Sequence, residues 1–592
     1  MSLFLKPLLS LHLKSAKNVP FKAATNSYAT RNMTPTASNQ ICDTLKARRS
    51  ANYHPNIWGF EFVQALSSEF TADNYMAQRN ELKEKISNQF YDMNVGSLEQ
   101  LELVDALQKL GIGYLFQDEI LTCLDAIQYK KKNFPADENL HATALGFRLL
   151  RQHGYQISKD VFLGFKDDNG EFDANLSYDI KGLLSLYEAC HLSVEGECIL
   201  DEAKHFSKTQ LENIRTPVPL KLSKQVSHAL NLPLQWRTVH LDARWYIEGG
   251  ITSEDHMSSA LLELAKLDFN ITQAIYQNDL KEMSMWWRDI GLGSHPQLHF
   301  ARDRLMENFL WTIGVNFYPQ ANYFRKGLTK LNALVTIIDD VYDIYGSLEE
   351  LELFTVAVER WDINSIERLP HYMKICFLAL YNTINEIVYV TLKEQGLEIS
   401  HYLKKSWTDL CKAYLVEAKW YYGKYTPTLE EYLSNAWVSI SGPTVLVHGY
   451  FLLQQDITKD TIDQLEGYPD IIRWSSLILR LADDLGTSAA EIERGDVPKS
   501  VQCYMHETGC SEESARGYIR YLIGETWKKM NKVQADDSVF PRPFLEVAVN
   551  LARMAQFMYQ YGDGHGIQIQ ETKNRVMSLL VEPIPLYNDT GF

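Results

Sequence analysis

From about residue 60 onward, apolar residues recur at three- and four-residue spacing almost without interruption. That feature constrains the fold more than any other. In SLEQLELVDALQKLGIGYLFQDEILTCLDAI, the residues Leu101, Leu103, Val104, Leu107 and Leu110 keep the interval. Leu261, Leu264, Ala265 and Ile271 repeat it in SSALLELAKLDFNITQAIYQNDLKEMSMWW. A helix returns to one face roughly every 3.6 residues, whereas a half-buried strand alternates. Convincing alternation is absent. Breaks fall at KDDNGEFD and TPVPLK, whose Gly, Pro, Asn and Asp favour turns. The pattern reads as an all-α fold. No repeat of fixed period stands out, and 592 residues suffice for more than one domain.

Within that helical frame, LVTIIDDVYDIYG runs Leu334, Val335, Ile337 and Ile338 directly into Asp339, Asp340 and Asp343. Carboxylates are costly to bury unless paired or bound to metal. Positions i and i+4 lie about 40° apart around a helix, so Asp339 and Asp343 share a face with Asp340 beside it. Like charges that close raise one another's pKa unless a cation sits between them. Magnesium suits the site: it is hard, and it binds through one or two carboxylates plus substrate phosphates. A second constellation follows the apolar run SSLILRLA. In LADDLGTSAAE, Asp483, Thr487 and Glu491 stand at i, i+4 and i+8, a row of oxygens on one helical face. Two such faces can line opposite walls of one cavity and hold a polyanion through divalent ions.

Cations accompany the acids. FARDRLMENFLW carries Arg302 and Arg304, Arg480 sits one turn before Asp483, and RGDVPKS supplies Arg494 and Lys499. Guanidinium groups bind phosphate oxygens bidentately. Singly, each motif also fits a solvated acidic helix end or a locally paired surface cation. As a set they favour a diphosphate ligand. The formal net charge of −17 and the lack of a basic stripe argue against a nucleic-acid partner. No segment approaches the roughly 18 uninterrupted apolar residues of a membrane span. Eight Cys without a CxxC pair suggest neither a disulfide scaffold nor a zinc site. The N-terminal stretch carries Lys6, Lys14, Lys17, Lys22 and Arg31, is rich in Ser, Thr, Asn and Ala, and has no acidic residue before Asp43. It has the character of an organelle transit peptide.

On these residues the sequence resembles the plant terpene synthases. The family's DDxxD motif stands as Asp339-Asp340-Val341-Tyr342-Asp343. Its second metal motif, with Thr in place of Ser, stands as Asp483-Asp484-Leu485-Gly486-Thr487-Ser488-Ala489-Ala490-Glu491. Its RxR is Arg302-Asp303-Arg304, and its tandem-arginine motif is Arg48-Arg49 followed by Trp58, the mark of the monoterpene branch. The resemblance covers essentially residues 48 to 592. It implies a transit peptide over 1–47, location in the plastid stroma, and two α-helical domains. The N-terminal domain, 48–255, is expected to be α-barrel-like, with a leading strand that caps the site through Arg48, Arg49 and Trp58. The C-terminal domain, 256–592, is expected to be the class I terpenoid synthase bundle. The junction is placed at EGGITSEDH on its turn composition. Three Mg²⁺ or Mn²⁺ ions are implied, held by Asp339, Asp343, Asp483, Thr487 and Glu491, with Asp340 grouped in the same motif. The chain is expected to act as a monomer or homodimer.

The implied activity is that of a carbon–oxygen lyase. It converts geranyl diphosphate to a monoterpene, cyclic on account of the tandem arginines (limonene, α-terpineol, cineole or pinene), plus diphosphate. Arg302, Asp339, Asp343, Arg480 and Asp483 would bind the substrate. Arg302, Arg480 and Lys499 would stabilise the leaving group, and RGDVPKSVQ would form a lid. Trp311 matches the family position that offers an aromatic face to a carbocation. Gly442 and Pro443 in SISGPTV are expected to kink a helix. In the family, the loop matching MYQYGDGHG closes over the site. Asn332, Ser441, Val445, Tyr559 and His565 are candidates for shaping the cavity or handling protons. Three other readings stand beside this one: an acyclic synthase making linalool or myrcene, a chain-elongating prenyltransferase, and an inactive helical interaction protein. The single DDxxD disfavours elongation, and the absence of DxDD leaves protonation-initiated cyclisation unsupported.

Overall fold

The computed structural model describes residues 48–92, 98–130, 139–214, 217–250, 259–566 and 570–586. The expected transit peptide and most of the expected junction, 251–258, lie outside them. Among the described residues the secondary structure is helical, with no strand. An isolated bridge between Lys166 and Phe172 crosses the KDDNGEFD turn.

In the N-terminal half, α1 (Leu140–Gln152), α2 (Ile180–Cys190) and α3 (Cys198–Glu212) pack in succession. Asn139 and Asp179 start α1 and α2 by accepting from the backbone N–H groups of Ala142 and Gly182, which satisfies donors a helix start leaves free. Both helices are buried nearly all round, polar His141, Arg148 and Glu188 included.

The long helix α4 (Ser259–Ile290) is the spine of the molecule. Its buried Asn270, Gln273 and Gln277 donate side-chain hydrogen bonds to the carbonyls of Ile584, Leu579 and Leu580. The 579–584 segment is thereby fastened to it.

The helices that build the site follow. They are α5 (Leu305–Val315), α6 (Asn322–Asp340), α7 (His371–Gln395), α8 (Ser400–Gly423), α9 (Leu429–Ser439), α10 (Gly442–Leu452), α11 (Asp470–Arg494), α12 (Glu512–Ala535) and α13 (Arg542–Met558). α6 packs on α5, α7 and α10, while α11 packs on α9, α10, α12 and α13. Leu328, Leu331, Leu334, Ile337 and Ile338 bury one stripe of α6, and Ile471, Ile472, Ile478 and Leu481 one stripe of α11. Each such side chain contributes about 1.5–3 kcal/mol on burial. Helix α7 is long and apolar enough to cross a membrane. Its Tyr372, Met373, Cys376, Phe377, Leu380, Ile384 and Ile387 are instead buried in the core.

The expected kink at Gly442-Pro443 is a full break. Helix α9 ends at Ser439, Ser441 takes a left-handed conformation at φ 67°, and α10 begins at Gly442. Pro443 lies in the first turn of α10, where its missing N–H leaves no hydrogen bond unmade.

The N-terminal helices rest on α12 and α13. Asn531 donates to the carbonyls of His191 and Ser193 at 3.0 and 2.9 Å, and Lys528 pairs with Asp201 at 2.8 Å. Trp236 stacks on Trp527 with centroids 5.8 Å apart, and Arg553 donates to the Gln235 carbonyl at 2.9 Å. Residues 48–592 form one compact unit.

Candidate active site

One cavity receives both acidic motifs. From α6 and its continuation it is lined by Asp339 and Asp343; from α11, by Asp483, Thr487 and Glu491. The α-helical path of α6 ends at Asp340 and widens into a π turn over Val341–Tyr345, so Asp343 reaches the cavity from a looser turn than the i, i+4 reading assumes. Burial, then the charge of Asp339, pushes the Asp343 carboxyl well above the ordinary carboxylate range. Burial likewise raises Asp483 to about 6 and Glu491 to about 8. The Glu491 Oε2 atom is buried without a hydrogen-bond partner.

The second aspartate of each motif turns away. Asp340 is fully buried and lies outside the cavity lining. It accepts the backbone N–H of Arg302 at 2.7 Å and pairs with Arg302 Nε at 2.9 Å. Asp340, expected beside the metal ligands, instead stands behind the wall with its carboxylate against Arg302. Asp484, also fully buried, pairs with Arg480 at 2.7 Å and accepts from the Tyr432 hydroxyl and the Ser500 N–H, both at 3.0 Å. Arg302 and Arg480 are thereby anchored from behind while they line the cavity. Arg302 Nη2 also donates to Asp339 at 2.6 Å, and Arg480 contacts Asp483. Lys499 lines the same space and donates from Nζ to Glu417 at 3.2 Å. Arg304 is held off the cavity. Its Nη2 donates to the carbonyls of His54 and Gly566, both at 3.1 Å, and so ties two peripheral segments together.

Residues 48–58 form no regular strand where a leading strand was expected: Asn52 is left-handed at φ 50° and residues 57 and 58 bend. Arg49 lines the cavity and donates to the Asp343 carbonyl at 2.8 Å and to Asp496 at 2.5 Å, with its guanidinium 4.2 Å from the Tyr421 ring centroid. Arg48 is outside the lining and pairs with Glu350 at 2.8 Å. Trp58 is buried and packs against Phe62 with centroids 5.6 Å apart, also outside the lining. Asn56 donates to Asp303 at 3.1 Å.

The remaining walls are apolar or aromatic. Trp311 and Val315 come from α5, Val335 from α6, Val445 from α10, Leu479 from α11 and Leu551 from α13. Tyr559 and His565 face Trp311 with ring centroids 6.1 and 6.4 Å from it. Asn332 and Ser441 also line the cavity, whereas Gly442 does not. A Cβ added at Gly442 would lie 2.3 Å from Ser476 Oγ, so glycine there permits close packing of α10 on α11. Burial, then Arg302 and Arg304, lowers His565 to about 3, which keeps the ring neutral. Its Nε2 lies 3.3 Å from Thr336 Oγ1, and the Thr336 hydroxyl donates to the Asn332 carbonyl at 2.9 Å. The Nδ1 atom is buried without a hydrogen-bond partner.

Several lining residues carry no motif signal. Glu417 and Tyr414 come from α8, whereas Tyr53 falls inside the RRSANYHPNIW stretch and Asp563 inside YGDGHG. Only Asp563, inside YGDGHG, and Asp496, inside RGDVPKS, fall in stretches with a turn-rich signature.

Residues 57–230 match the family described as terpene synthase, N-terminal domain, and residues 290–529 match terpene synthase family, metal binding domain. The chain is 56% identical over 550 residues to a (−)-α-terpineol synthase of Vitis vinifera, covering 92% of each protein. It is 51% identical over 599 residues to a chloroplastic myrcene synthase of Quercus ilex, covering 99% of this chain and 100% of that one. Among solved structures, limonene synthase with 2-fluorolinalyl diphosphate superposes with a TM-score of 0.88 at 45% identity, covering 91% of this chain and all of that one. Isoprene synthase of Populus x canescens, in complex with three Mg²⁺ ions and dimethylallyl-S-thiolodiphosphate, gives 0.82 at 48% identity, covering 90% and 99%. The chain belongs to the terpene synthase family.

Proposed function

We propose that this protein is a monoterpene synthase of the plastid stroma that ionises geranyl diphosphate and releases a cyclic monoterpene and diphosphate. The observation that carries the reading is a single cavity lined both by hard oxygen donors with anchored cations and by apolar and aromatic side chains. An amphiphile with a C10 tail and a diphosphate head has that shape of polarity. The relatives named terpineol and limonene synthase, and the tandem arginines, favour a cyclic product.

The donor set fits Mg²⁺ or Mn²⁺. It offers oxygens alone, three of its carboxyls are raised by burial and crowding, and Glu491 Oε2 has no protein partner. No group of three or more His, Cys, Asp or Glu closes on one point among the described residues. Metal ions at Asp339, Asp343, Asp483, Thr487 and Glu491 would therefore complete their coordination with diphosphate and water oxygens, as magnesium commonly does. Such ions, three in the isoprene synthase complex, supply positive charge against which the diphosphate departs.

The protein's own groups do the rest. Arg302, Arg480 and Lys499 receive the diphosphate oxygens, and their positions are fixed beforehand by Asp340, Asp484 and Glu417. Trp311, Val445, Leu479 and Leu551 fold the hydrocarbon chain and keep water from the allylic cation. The Trp311 face stabilises positive charge by about 0.5–2 kcal/mol. Arg49 draws the 48–58 segment, the 341–345 turn and Asp496 together at the mouth. His565 presents a neutral ring to the cavity beside Trp311.

The test is incubation with geranyl diphosphate and Mg²⁺, with and without isopentenyl diphosphate, followed by gas chromatography. Volatile cyclic C10 products without the second substrate support the proposal. Longer diphosphates that require it, or no turnover, overturn it.

A further inference from the structure

Glu417 belongs to neither acidic motif, yet it lines the same cavity from α8. Its two oxygens serve different parts of the wall. Oε2 accepts from the Lys499 ammonium at 3.2 Å, and Oε1 accepts from the Ser439 hydroxyl. Lys499 ends the loop after α11 that also presents Asp496 and Val497 to the cavity. Ser439 ends α9, two residues before Ser441, whose left-handed backbone opens the break between α9 and α10. All three members are nearly inaccessible: Lys499 is 4%, Glu417 3% and Ser439 3% exposed. Against its burial, Lys499 and Arg480 hold the Glu417 carboxyl below the ordinary range, so it is ionised. A buried ion pair rarely stabilises a fold more than apolar side chains of the same volume would. Its value here is geometric, because a single carboxylate joins a loop end to a helix break.

We infer that Glu417 is a positioning residue that aims Lys499 at the diphosphate and holds the 439–441 break against the hydrocarbon, coupling departure of the leaving group to the shape of the pocket. The inference rests on the monoterpene synthase reading above. Glu417→Gln keeps the side-chain volume and an acceptor for one partner but removes the charge opposite Lys499. Because a negative charge near the diphosphate is also removed, ground-state binding does not suffer. The KM for geranyl diphosphate is therefore expected to stay level or fall while kcat drops about tenfold or more, the consequence of losing one charge-assisted contact. The ratio of monoterpene products shifts at the same time. Ser439→Ala cuts only the other leg, so the ratio shifts while kcat falls less.

In the double variant Glu417→Gln/Ser439→Ala both legs are cut, and the shift in product ratio should differ from the sum of the two single-variant shifts, because both legs meet on one side chain. Circular dichroism establishes that the variants fold. Should Glu417→Gln fail to fold, Ser439→Ala carries the test alone: an altered product ratio supports the linkage, and an unaltered one overturns it. Wild-type kcat, KM and product ratio in folded Glu417→Gln, or product shifts that simply add in the double variant, would also overturn it. If the unmodified enzyme yields no C10 product, the functional reading fails and not this linkage.

Discussion

Asp340→Asn separates the two duties that the structure divides between adjacent aspartates. Asp340 is fully buried and holds Arg302 by the backbone N–H at 2.7 Å and by Nε at 2.9 Å. Asparagine keeps an oxygen for the N–H but removes the charge opposite Nε. Arg302 retains its bond to Asp339 at 2.6 Å, so the guanidinium is weakened in its seat but not stripped of partners. Losing all partners of a buried charge costs about 3–5 kcal/mol, whereas one hydrogen bond to a charged group is worth about 1.5–3 kcal/mol. The smaller figure applies here. At about 1.4 kcal/mol per factor of ten, kcat/KM should fall roughly ten- to hundredfold. The Mg²⁺ concentration that gives half the maximal rate should not change, because the Asp340 oxygens are turned from the cavity. Asp339→Asn should do the opposite and raise that concentration by about an order of magnitude or more. Initial rates by gas chromatography, with Mg²⁺ titrated at saturating geranyl diphosphate, measure both. If Asp340→Asn displaces the Mg²⁺ requirement as far as Asp339→Asn does, the second aspartate is a ligand and the anchor argument is wrong.

Arg49→Ala removes the bonds to the Asp343 carbonyl and Asp496, and it should lower cyclic products more than acyclic ones; a uniform loss across both counts against that role. Gly442→Ala should impair folding or turnover because its Cβ meets Ser476 Oγ at 2.3 Å, and Ser476→Gly in the same chain should restore part of the loss. An equally defective double variant would refute the packing explanation. His240 is stacked between Phe269 and Phe317, and burial, then Arg325, lowers its pKa to about 4 from 6.5. Its folded-state pKa is depressed, so the stability it contributes is complete above pH 6.5 and is lost as pH falls towards 4, at most about 3 kcal/mol. Melting midpoints recorded across that window should fall more steeply for the unmodified protein than for His240→Phe, and equal slopes would exclude His240 as a contributor.

The parts of the site that are legible in the sequence are those whose spacing equals a structural period. Asp483, Thr487 and Glu491 recur every four residues on one straight helix and do line one cavity. Asp339 and Asp343 share that cavity as well, although a π turn intervenes that no residue type announces. Which member of an Asp-Asp pair turns inward is not legible, because it depends on partners brought from other elements. Asp340 is drawn back by Arg302, and Asp484 by Tyr432 and the Ser500 N–H. The break before Gly442 reads as a proline kink in sequence, since the residue that bends the chain is Ser441, a non-glycine at positive φ. Glu417 lies in an unremarkable stretch of α8 and becomes part of the site only when Lys499 and Ser439 converge on it.

Two acidic helix ends holding one diphosphate through shared cations is the claim on which the rest depends. The most direct measurement is anomalous scattering from crystals grown with Mn²⁺ and a non-ionisable geranyl diphosphate analogue. Manganese peaks are expected at both Asp339/Asp343 and Asp483/Thr487/Glu491, bridged by the oxygens of a single diphosphate. Manganese confined to one of the two walls, or a diphosphate bound away from both, would contradict it.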